Sequence, residues 1–162
     1  MSRFLYPNAV FPSRAVSHGV QRHGLIAAGI IIVMVVAQLM TLEKFSPMME
    51  RIHLFNETTV DALVAYTSVI TGVFSLPFLM RIATSPLFRL MSSLCVIFFC
   101  SIWIMIGVAI PMQFSQSVPG SPILGSLSTS LDANTTLVVA VLISFIIGSA
   151  WWRLKGDISL WK

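Results

Sequence analysis

Charge is what this sequence has least of. Ten lysines and arginines and six acidic residues make up 10% of 162 residues, where a soluble domain carries roughly a quarter. With 56% hydrophobic residues and a mean hydropathy of +0.89, the composition excludes a sizeable soluble domain. It leaves room for a few membrane-spanning helices and short loops. Cysteine is almost as scarce. Cys95 and Cys100 both lie inside an apolar run, which excludes a zinc signature and a disulfide framework. Histidine is limited to His18, His23 and His53. All three fall outside the apolar runs, so no pair is placed to clamp a haem within a bundle. The formal charge of +4 and pI ≈ 9.6 speak for orientation in a bilayer and not for nucleic acid, because the basic residues flank apolar runs.

What is present is long apolar sequence. A spanning helix needs about 20 largely apolar residues, and four segments supply them: residues 24–42, 62–80, 87–112 and 135–152. The runs are continuous and lack the alternation of barrel strands. Eight of the ten basic residues fall on one side of this pattern: Arg3, Arg14 and Arg22 in the N-terminal arm, Arg81 and Arg89 in the second loop, and Arg153, Lys155 and Lys162 in the tail. Only Lys44 and Arg51 fall on the other. The positive-inside rule then predicts an all-α, integral membrane four-helix bundle with both termini cytoplasmic. Residues 1–23 form a cytoplasmic basic arm, 24–152 the transmembrane domain and 153–162 a cytoplasmic basic tail. The first run is longer than a signal-peptide core and no small-x-small site follows it, so it is expected to stay as a helix.

The stretch between the second and third runs carries two arginines around Ser85-Pro86. Ser85 is placed to cap the third helix and Pro86 suits its first position. Pro77 should kink the second helix a turn before its end. Arg22, Arg81, Arg89, Trp151, Trp152, Arg153 and Lys155 are predicted lipid or interface anchors. In the first loop, Phe45, Met48, Met49 and Ile52 recur at helical spacing after Ser46-Pro47, which predicts a short interfacial helix on the outer surface. The third loop, rich in Ser, Gly, Pro and Thr, reads as a flexible outer loop or a partner-binding loop.

Intramembrane ionisable residues mark proton relays and ion pathways, and none stands at mid-depth. No catalytic residue, metal ligand or cofactor is predicted. Cys95 and Cys100 are five residues apart, about 140° around a helix, so they cannot bridge within it, and neither belongs to a C-x-x-C. Small residues recur instead on single faces: Ala65, Ser68, Gly72 and Ser75; Ser93, Cys100 and Gly107; Ala140, Ser144 and Gly148. These are the predicted helix-packing positions. Gln38 and Tyr66 are the largest polar groups inside the runs.

"LEKFSP" (Leu42–Pro47), "GVFSLPFLMR" (Gly72–Arg81) and "SPLFRLMS" (Ser85–Ser92) together resemble the DoxX/MauE-like group of small four-helix membrane proteins. The resemblance implies a redox-associated membrane subunit working beside oxidases or thiol-disulfide proteins. It also implies an acidic residue near the position of Gly72, which this chain lacks, so it bears on fold more than on activity.

Three functions follow as expectations. The first is a non-catalytic or redox-associated accessory subunit that packs with a membrane-protein partner or with its own copies in the cell membrane, by the resemblance a bacterial inner membrane. The second is a quinone- or thiol-linked redox subunit using Cys95 or Cys100, or an apolar cleft offering Gln38 and Tyr66. The third is an oligomeric transporter or channel for a small solute.

Overall fold

A computed structural model describes residues 18–40, 58–82, 85–113, 117–118 and 131–155. Four helices make up nearly all of it: α1 (His18–Met40), α2 (Thr58–Leu79), α3 (Pro86–Gln113) and α4 (Ala133–Lys155). Two residues on each side, β1 (Ser117–Val118) and β2 (Leu131–Asp132), pair antiparallel between α3 and α4. This short ladder lies in the loop expected to be either a flexible outer loop or a partner-binding one. The interfacial helix expected at Phe45–Ile52 lies outside the described residues.

Among the described residues, three helices are long and apolar enough to cross a membrane, and the apolar part of α2, Leu63–Leu79, is shorter. Each helix runs past its apolar core. α1 begins at His18, ahead of Gly24, because exposed Gln21 and Arg22 continue the helix without interrupting it. α4 likewise begins at Ala133 and ends at Lys155.

The helices alternate in direction around a ring, α1–α2–α3–α4, each packing on its two neighbours. Gly24 fixes one corner. A Cβ there would lie 2.8 Å from the Leu79 carbonyl oxygen and 3.1 Å from Leu154 Cδ1. The start of α1 therefore lies against the ends of α2 and α4. Gly72 fixes the middle: its missing Cβ leaves room for Val35 and Phe99. Gly107 admits Ala140 between α3 and α4. Ile31, Phe78, Phe99, Trp103, Ile106 and Ile147 fill the core.

The turn from α2 into α3 is closed by backbone bonds. Ile82 N–H donates to Pro77 O (2.9 Å) and Arg81 N–H to Phe78 O (3.2 Å), the two bonds of a Schellman ending. The position that must turn left-handed in this motif is Arg81, at φ 56°, where glycine is usual. Ser85 then caps α3, its Oγ accepting from Phe88 N–H at 3.3 Å, with Pro86 as the first helical residue.

Candidate functional site

Alternation of the helices gathers the basic residues. Arg22 near the start of α1, Arg81 at the end of α2, Arg89 in the first turn of α3, and Arg153 and Lys155 at the end of α4 all fall at one end of the bundle. Arg22 and Arg153 are exposed, and Arg81 and Arg89 are half-buried. Trp152 stands outward at 69% exposure, while Trp151 turns partly inward, the two rings 6.2 Å apart.

Three serines tie the helices together at this end. Ser93 accepts from Trp151 Nε1–H at 2.8 Å, joining α3 to α4. Ser149 Oγ lies 2.8 Å from His23 Nε2, joining α4 to α1. The Ser149 hydroxyl donates its proton to Ile146 O at 2.8 Å, so the hydrogen of the His23–Ser149 bond sits on Nε2 of His23. Ser92 joins α3 to α2. Its hydroxyl donates to Phe74 O at 2.6 Å and accepts from Phe78 N–H at 3.0 Å. A regular helix pairs those two backbone groups with each other. Pro77 has no N–H and its ring crowds the carbonyl four residues earlier, and Ser92 inserts at the same turn. Sequence reasoning singled out Pro77 and Ser93 but missed Ser92 and Ser149.

The small-residue positions sit as follows. Ala65, Ser68, Gly72, Ser75, Ser93, Gly107, Ala140 and Ser144 are buried. Cys100 is half-buried, with its thiol 3.8 Å from Ser144 O. Gly148 departs from the pattern: a Cβ there would meet nothing within 4 Å. It opens into a groove of about 440 Å³ on the outer side of α3 and α4, lined also by Val96, Ile97, Cys100, Ser101, Ile104, Trp151 and Trp152. Cys95 and Cys100 are both free thiols. Gln38 and Tyr66 part company. Gln38 is 0% exposed and Tyr66 is 46% exposed.

Among the described residues, no group of three His, Cys, Asp or Glu side chains is close enough to hold a metal ion. Comparison with family models, with curated proteins and with solved structures finds no match.

Proposed function

We propose that this chain is a multi-pass protein of the cell membrane that serves as an accessory subunit, receiving an apolar helix of a partner membrane protein in the groove between α3 and α4. Its basic end, with both termini, faces the cytoplasm.

Membrane placement is supported by the outer surface of the bundle. Large apolar side chains cover it, among them Phe98 at 61% and Phe145 at 72% exposure. Hydroxyls on the outer side turn back to their own helices: Thr67 donates to Leu63 O, Thr71 to Thr67 O and Ser101 to Ile97 O. Such back-bonding satisfies a hydroxyl where no water is available. Orientation is supported by the collection of Arg22, Arg81, Arg89, Arg153 and Lys155 at one end, which fits the cytoplasmic face of a bilayer.

The observation that carries the partner reading is the open notch at Gly148. Helices in lipid associate through close packing over small residues. Gly148 has not used its small size inside the bundle, so the notch can receive a ridge from another helix. The test is mass spectrometry of what co-purifies with the tagged chain from native membranes in a mild detergent. A stoichiometric membrane partner lost on Gly148→Phe is expected. Retention of that partner by the variant would refute the groove as its seat.

A second reading, a thiol-linked redox subunit, is favoured by Cys100, which lines the same groove. A cysteine-free variant that keeps full activity in cells would eliminate it.

A further inference from the structure

Some buried polar groups of the bundle have hydrogen-bond partners and others do not. Towards the basic end, Ser75, Ser92, Ser93 and Ser149 all have hydrogen-bond partners. Further from that end, four buried side chains among the described residues have none: both amide atoms of Gln38, the Ser68 hydroxyl, Trp103 Nε1 and, half-way along α4, the Ser144 hydroxyl. Gln38 and Ser68 are 0% exposed and Trp103 is 1%.

Gln38, Ser68 and Trp103 belong to one layer. Val35, Gly72 and Phe99 meet at a single point, because a Cβ on Gly72 would touch both of the others. From that junction Gln38 lies three residues on along α1, Trp103 four residues on along α3, and Ser68 four residues back along the antiparallel α2. Each step is about 4.5–6 Å in the same direction, close to one helical turn. Trp103 is tied to the junction by its ring contact with Phe99, at 6.2 Å between centroids. All three side chains are therefore inward-facing at the same level, where α1, α2 and α3 meet.

The chemistry of the layer is neutral and two-sided. Gln38 and Trp103 offer N–H donors; Gln38 Oε1 and Ser68 Oγ accept, and Ser68 can also donate. An anion would find no cation in this set, and a cation no carboxylate. Buried polar groups left unpaired are costly, and more so in lipid, where the bulk solvent offers nothing. Water has the matching pair of donors and pair of acceptors, and buried waters characteristically bridge groups of this kind. We propose that Gln38, Ser68 and Trp103 form a water-binding site, one or two molecules held between α1, α2 and α3 in the half of the bundle away from the basic end.

The test is NMR on the full chain in lipid nanodiscs with ¹⁵N-labelled tryptophan, the Trp103 indole resonance being assigned by its loss in Trp103→Phe. The expected result is a cross-peak between the Trp103 indole N–H and water, with none to lipid acyl chains. It should survive Ser68→Ala, which removes the exchangeable hydroxyl as a relay, and vanish in Gln38→Leu. Absence of a water cross-peak in the unaltered chain would overturn the proposal, whatever the variants do. So would its persistence in folded Gln38→Leu, or a co-purifying lipophilic molecule whose removal shifts the indole resonance. If Gln38→Leu does not fold, Gln38→Met is the replacement of matching length, with the same two outcomes.

Discussion

Replacing Ser92 by alanine tests the central interhelical contact of the bundle. The hydroxyl is buried between α2 and α3 and serves Phe74 O and Phe78 N–H at once. Its removal takes a hydrogen-bond partner from two backbone groups of α2, with Phe78 itself only 1% exposed. A stranded buried group costs about 1–3 kcal/mol, so Ser92→Ala should destabilise by about 2–4 kcal/mol, allowing for partial relaxation of α2. The contact owes its value to Pro77. In Pro77→Ala the backbone regains an N–H and loses the ring clash with the Val73 carbonyl, which frees this turn to hold Phe78 N–H on Phe74 O without help. In that background Ser92→Ala should cost less than about 1 kcal/mol, giving a coupling energy of about 1–3 kcal/mol in a double-mutant cycle. Reversible unfolding in mixed micelles, read by tryptophan fluorescence, supplies the four stabilities. Equal costs of Ser92→Ala with and without Pro77 would refute the reasoning, as would a cost below about 0.5 kcal/mol, the range of a surface change.

Other substitutions address separate features. Arg81→Gly relieves the left-handed backbone at φ 56° and should stabilise by about 1 kcal/mol, measured by the same unfolding. Gly24→Ala drives a Cβ to 2.8 Å from the Leu79 carbonyl oxygen; a backbone atom yields little, so a loss of about 1–3 kcal/mol is expected. Gly148→Ala, with open space around the new methyl, should gain about 0.5–1 kcal/mol from helix propensity, and a loss would show that the groove is closed in the isolated chain. Trp151→Phe removes the bond to Ser93 and should cost about 1 kcal/mol, a cost that should shrink in a Ser93→Ala background.

The four helices were legible because apolar runs of sufficient length have few other uses. Their ends were less so: the runs stop where polarity begins, whereas the helix of α1 continues through Arg22 and His23. The Ser85-Pro86 start was readable since capping is local, and the structure has Ser85 Oγ on Phe88 N–H. Pro77 drew attention to this turn of α2, but the Ser92 bonds to Phe74 O and Phe78 N–H depend on how α3 is set against α2, which no local pattern encodes. Gly148 looked like Ala140 and Ser144 by spacing, yet Ala140 is met by α3 and Gly148 faces a groove. Spacing gives the face of a helix, and only the neighbouring helix decides whether that face is filled. Gln38 looked like a polar residue near a helix end, and in the structure it is 0% exposed.

The Ser92 bridge also has a consequence for how the chain is made. The groups it joins, Phe74 and Phe78, leave the ribosome before Ser92 does, by 18 and 14 residues. Until α3 arrives, the turn of α2 around Pro77 lacks the side-chain hydroxyl that serves both groups. The tight turn at Arg81 brings α3 alongside at once. A pause in synthesis between Phe78 and Ser92 would therefore leave Phe74 O and Phe78 N–H without the hydroxyl that joins α2 to α3.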